Sequence, residues 1–177
     1  MKLSTLKDRL QRLIADKSGS KKRIAYLRRQ GMQIGERCLL NTMSFSTEPY
    51  LVRIGDHCAI ANGTVFLTHD GGIRCFREDF PKDDLFARIE IGNNVFIGAN
   101  CTVLPGTVVG ENCIVGAGSV LRGTYPRDSV IFGNPAKVVM AMRVQKMMYK
   151  QSRNRLPTAG MSDPAKKPIV IEHFANS

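Results

Sequence analysis

Residues 91–126 divide without remainder into six blocks: IGNNVF, IGANCT, VLPGTV, VGENCI, VGAGSV and LRGTYP. Upstream, IGERCL begins at Ile34, IGDHCA at Ile54 and IANGTV at Ile60. Each block opens on an aliphatic residue, glycine usually follows, and a small residue commonly stands fifth. Self-similarity at a fixed period marks a solenoid, whose units hide their apolar sides only by stacking on one another.

A unit of six residues is too short for a helix and a turn. It suits one short strand and a corner, where glycine supplies the unusual dihedrals. Three sides then make a triangular coil, and coils stack at the inter-strand spacing of about 4.8 Å. First and fifth positions point inward. Cys38, Cys58, Cys101 and Cys113 all stand fifth, as do Thr64, Val95, Thr107 and Ser119, so these thiols are expected as compact interior packing rather than ligands or nucleophiles. Cys75 stands apart, the total of five is odd and no CxxC pair exists, so no disulfide is implied.

Over roughly residues 34–137 the blocks resemble those of the hexapeptide-repeat, left-handed parallel β-helix acyltransferases. The left hand is implied by this resemblance and not by the period; it departs from the usual right-handed crossover. The expected fold is mainly β. A helical segment over 1–30 precedes a left-handed β-helix catalytic domain over 31–137, which carries an excursion at 68–88. A C-terminal helix and tail occupy 138–177.

The net charge of +11 belongs to the ends. Residues 1–30 hold ten Lys/Arg against two Asp, residues 137–177 hold eight against two acids, and residues 31–136 hold eight against eleven. Such ends attract phosphate-bearing cofactors, acidic lipids or nucleic acid, although solvated helix faces account for much of the charge. Tyr26 is the one aromatic among the first 30 residues, so the stacking platform of a nucleic-acid binder is missing and none is expected. The spacing of Leu3, Leu6, Leu10 and Ile14, then of Ile24 and Leu27, predicts two helices over 3–14 and 21–29, separated at KSGSKK. The first is basic and amphipathic, which keeps peripheral membrane contact open. No apolar run reaches about 18 residues, and charges interrupt the N-terminus where a signal peptide needs an apolar stretch; a cytoplasmic protein is expected. After Asn134-Pro135-Ala136, KVVMAMRVQKMMYKQ predicts an amphipathic helix starting at Lys137, its Met-rich side docking on the open end of the coil stack. Beyond Arg155 a tail or extended arm is expected.

Residues 68–88 break the six-residue rhythm, and long excursions from compact solenoids usually carry function. His69 stands at the root of this one, held by rigid backbone, and its imidazole can take a proton near neutral pH. A surface histidine capping the loop is the alternative from position alone. The resemblance favours catalysis, because related enzymes place a catalytic histidine in a loop leaving the β-helix, and THDGG matches the His-Asp form of sugar O-acetyltransferases. His69 is then the general base, and Asp70 a candidate to orient the imidazole or bind substrate. His57 stands at an outward corner and His173 in the tail, so the three converging histidines of a zinc site are not expected; no metal is assigned.

GAN at 98–100 should lie one coil from GAG at 116–118, because Ile97 and Val115 are eighteen residues apart. Tight corners require small residues in any case. The resemblance makes this edge the coenzyme A groove between subunits of a trimer, with Gly98, Ala99, Gly116 and Ala117 along the pantetheine arm and a nearby N–H stabilising the thioester oxyanion. GNPAK at 133–137 resembles the motif closing the β-helix in these enzymes, which points to Lys137, then Arg143, as phosphate ligands.

The resemblance implies acetyl-CoA-dependent acetylation of a sugar hydroxyl, a precursor of a surface polysaccharide being one such acceptor. The assembly implied is a homotrimer with active sites between subunits. N-acetylation of a nucleotide-linked amino sugar and antibiotic acetylation are the rivals on the same scaffold. A non-catalytic scaffold or a membrane binder is the rival of another class.

Overall fold

A computed structural model describes residues 3–175. They fall into two units, one running to Met142 and the other starting at Arg143.

The first unit is a parallel β-helix with three faces. Gln33–Ile34, Val52–Ile54, Ile89–Ile91, Val108–Val109 and Thr124–Tyr125 pair in that order as a five-stranded sheet. Leu39–Leu40, Ala59–Ile60, Phe96–Ile97, Ile114–Val115 and Ser129–Gly133 form the second face. Val65–Phe66, Thr102–Val103 and Val120–Leu121 form the third. Ile97 pairs with Val115 in parallel register, as the spacing requires.

Block-opening residues fill the interior: Ile54, Ile60, Ile91, Ile97, Val103 and Val115 are all buried. Each such side chain contributes about 1.5–3 kcal/mol on burial. The fifth position has a second task. Cys38, Cys58, Thr64 and Cys101 donate to the carbonyls of Gly55, Gly92, Gly98 and Gly116 at 3.1, 3.1, 2.8 and 3.2 Å, each the second-position glycine of the next coil. Small donors therefore stitch neighbouring coils where a larger side chain would not fit. The fourth position is left-handed, with φ of 55° at His57, 54° at Asn94 and 54° at Asn112. That conformation favours the Asn and Gly residues found there, and it keeps His57 at an exposed corner.

The N-terminal end of the stack is covered. Helix α1 spans Leu3–Asp16 and α2 spans Ser20–Arg29. Arg28 donates to the carbonyls of Ile34 and Gly35 at 2.9 and 2.8 Å, and Leu40 N–H donates to Ser20 Oγ at 2.7 Å. Several of the N-terminal cations and hydroxyls thus serve the open strand edge of the first coil.

The other end differs from expectation. Ala136–Ala141 is a strand, antiparallel to Ser129–Gly133, and Lys137 pairs with Phe132 within it. Helix α3 begins only at Met142 (Met142–Gln151) and buries none of its residues, Met147 and Met148 included. The edge of the last coil offers unpaired N–H and C=O groups, and β-branched Val138 and Val139 suit a strand; edge pairing outweighs helix propensity. The tail is also corrected, because Asp163–Ala175 forms helix α4. Ser162 O accepts from Ala165 and Lys166 at 3.1 and 3.0 Å, and Pro164 is preset for a first turn.

Candidate active site

The excursion leaves the third face after Phe66 and lengthens one coil: Asp56 and Asn93, stacked neighbours, are 37 residues apart, whereas Asn94 and Asn112 are 18 apart. It is closed at its root. His69–Asp70 pairs antiparallel with Leu85–Phe86, and Ala87 N–H donates to Thr68 O at 2.9 Å. A 3-10 turn, Gly71–Phe76, follows, capped by the Asp70 carboxylate accepting from Gly72 N–H at 2.9 Å.

The imidazole of His69 is held from the other side. Its Nδ1 lies 2.9 Å from Glu48 Oε2, and its ring meets Phe86 edge-on with centroids 6.2 Å apart. Glu48 Oε2 also accepts from Thr68 Oγ1 at 2.8 Å, and Oε1 accepts from the Thr47 hydroxyl. Burial opposes ionisation of Glu48, but the hydrogen bonds from Thr47, His69 and Thr68 outweigh it and hold the carboxyl below its ordinary value. An ionised carboxylate only accepts hydrogen bonds, so Nδ1 carries a hydrogen, and in the neutral imidazole the lone pair falls to Nε2. Nε2 makes no hydrogen bond within the described residues. The His69 side chain is 43% exposed and that of Glu48 12%. The neutral imidazole thus has one tautomer favoured and its other nitrogen accessible.

An open pocket of about 290 Å³ lies beside the ring, lined by Glu48, His69, Asp70, Arg74, Asp84, Leu85 and Phe86 among others. The excursion therefore supplies most of its wall. Asp70 lines the pocket but does not hold the imidazole; it caps Gly72 and stands 4.0 Å from Arg122. Glu48 was not legible as a site residue. One signal pointed toward it: the blocks opening at Ile34 and Ile54 are twenty residues apart, not a multiple of six, so the rhythm had to lapse somewhere between them. That stretch carries the 3-10 turn Pro49–Leu51, next to Glu48.

The second group of candidates lies on another edge. Gly118 N–H donates to Ala99 O at 2.8 Å, stacking the two small corners. A Cβ on Gly98 would meet Ala117 N at 2.5 Å, and one on Gly116 would strike the Phe132 ring. Ala117 is exposed and Ala99 half-buried, and their N–H groups bond nothing within the described residues. The edge is bare main chain, which fits an extended pantetheine arm. It joins the second and third faces, whereas His69 leaves the corner between the third and first. Lys137 is exposed on the closing strand, and Arg143 stands in α3, in the second unit. Among the described residues no three His, Cys, Asp or Glu side chains gather as metal ligands, and no helix is long and apolar enough to cross a membrane.

A family profile, the bacterial transferase hexapeptide of six repeats, matches residues 88–123. Protein CapG of Staphylococcus aureus is 46% identical over 119 residues, covering 66% of this chain and 69% of that protein. The chain belongs to the hexapeptide-repeat acyltransferases. Galactoside O-acetyltransferase of Escherichia coli K12 is 33% identical over 120 residues, 67% of this transferase but only 58% of that enzyme. A solved galactoside acetyltransferase in complex with coenzyme A matches 85% of this chain and 86% of its own at a TM-score of 0.59 and 19% identity, a likeness of fold. The transferase has the left-handed parallel β-helix of its family.

Proposed function

We propose that this chain transfers the acetyl group of acetyl-CoA to a hydroxyl of a sugar, with His69 as general base and Glu48 as its positioning residue. The observation that carries the reading is the ionised Glu48 bound to His69 Nδ1, which leaves Nε2 basic beside a pocket. His69 Nε2 takes the hydroxyl proton as the oxygen forms its bond to the acyl carbon, and returns it to the departing sulfur. Acetyl-CoA, when bound, supplies the activated acyl carbon. Arg74, Asp70 and Asp84 offer polar groups for a hydroxylated acceptor, and Leu85 and Phe86 an apolar wall for the face of its ring. The E. coli relative supports this class of reaction, since O-acetylation of galactosides is what its name states. A cytoplasmic location accompanies acetyl-CoA as donor.

The active site we infer lies between subunits of a homotrimer. Support comes from the position of the Ala99 and Ala117 edge and the His69 pocket at different corners of one prism. A neighbouring copy is what brings one chain's edge to another's imidazole. The second face offers a surface for it: Leu39, Ala59, Phe96 and Ile114 align in register, and Leu39 and Phe96 are exposed. Lys137 is the phosphate ligand we favour, and Arg143 is the second candidate.

The test is acetyl-CoA turnover, followed as thiol release, across matched panels of neutral sugars and amino sugars. His69→Ala is expected to keep coenzyme A affinity and lose about 10²–10⁴-fold in kcat. Unchanged turnover overturns His69 as base; faster turnover of amino sugars than of every hydroxyl acceptor overturns O-acetylation.

A further inference from the structure

Helix α1 lies on the body by its polar side. Asp8 accepts from Tyr26 Oη at 3.2 Å and from Gln30 Nε2 at 2.9 Å, and Ala15 is buried on the same face. Leu10, Leu13 and Ile14 point the other way, at 58%, 58% and 51% exposed. This inverts the arrangement of an ordinary surface helix, whose apolar stripe faces the core.

A cleft of about 200 Å³ adjoins that stripe between α1 and α2. Its floor is Ile14, Ala15, Ala25 and Tyr26, and Lys22 and Arg29 line it as cations. Neither cation belongs to an ion pair among the described residues; Arg29 stands 5.9 Å over the Tyr26 ring. Lys7, Arg9, Arg12 and Lys17 are exposed on α1 and just beyond it.

We propose that this face docks on an anionic bilayer. Leu10, Leu13 and Ile14 enter the boundary between headgroups and acyl chains, and Lys22 and Arg29 hold lipid phosphates at the cleft. Charge selects the occupant. Residues 1–30 carry ten cations against two acids. A second copy presents the same positive end, and its body, with eight cations against eleven acids over 31–136, offers little to offset it. An anionic membrane offers a continuous negative surface over an apolar layer, the pairing to which basic amphipathic helices respond. Docking would hold the transferase where lipid-borne acceptors are presented.

The full chain is to be floated with phosphatidylcholine vesicles, with and without phosphatidylglycerol, at low and high salt. The expected result is partition onto phosphatidylglycerol vesicles alone, reversed by salt. Lys22→Glu with Arg29→Glu, and separately Leu10→Ser with Leu13→Ser, should each lower partition by about fivefold or more. Sedimentation and turnover of a water-soluble acceptor should remain those of the parent, since neither pair belongs to the catalytic machinery. If the serine pair fails to fold, the exposed charge pair carries the test. No partition at low salt, equal partition onto neutral vesicles, or no change in the charge pair overturns the proposal. So does a serine pair that changes only the sedimentation coefficient, which assigns the face to a second copy.

Discussion

Glu48 Oε2 and His69 Nδ1 lie 2.9 Å apart although 21 residues separate them in the chain. The two come together because Thr47-Glu48, in the irregular stretch of the first coil, lies beside Thr68-His69, which opens the excursion of the next. Ser46 Oγ accepts from Thr68 N–H at 3.0 Å between them. The dyad is therefore a product of coil stacking.

Glu48→Gln should lower kcat by about 10²-fold or more, because an amide can present its N–H₂ to Nδ1 and favour the wrong tautomer. Acceptor KM should change little. A purely structural Glu48 would move the melting temperature alone and leave kcat and its pH profile in place; steady-state profiles on both proteins decide between the two.

Stability should respond to acid through the same carboxyl. Glu48 is held below its ordinary 4.5 in the folded chain, so its contribution is complete above that value and disappears as pH falls through the lower folded one. Thermal melts over acid pH should show the gap between wild type and Glu48→Gln narrowing below pH 4.5. A gap that widens there contradicts the assignment.

Thiol reactivity should separate the cysteines by location. Burial pushes the Cys58 thiol up to about 11 and raises those of Cys101 and Cys113, whereas Cys75 is exposed. Iodoacetamide should label Cys75 in the native protein and reach Cys58, Cys101 and Cys113 only in denaturant, as read by peptide mass spectrometry.

Ala117→Leu should raise the KM for acetyl-CoA about tenfold, equivalent to roughly 1.4 kcal/mol, without moving the melting temperature, because Ala117 is exposed. Gly98→Ala behaves differently. Its Cβ would meet Ala117 N at 2.5 Å, so unstacking of the coil should cost about 1–3 kcal/mol in denaturant titrations.

The six-residue rhythm by itself determined the coils, their register and the inward side of each strand. Ile97 opposite Val115, and cysteines at the fifth position bonding the next coil, follow from a pattern that repeats locally and leaves one way to bury it. The excursion was legible for the same reason, as the place where the pattern lapses, whereas the role proposed for His69 at its root came from the resemblance to the family. Tertiary structure decided what a local pattern does not encode. Lys137–Ala141 became a strand because the last coil's open edge needed hydrogen-bond partners. Glu48 became the partner of His69, and Asp70 did not, because that pairing depends on which irregular stretches stack, a matter of three-dimensional neighbourhood rather than of sequence distance.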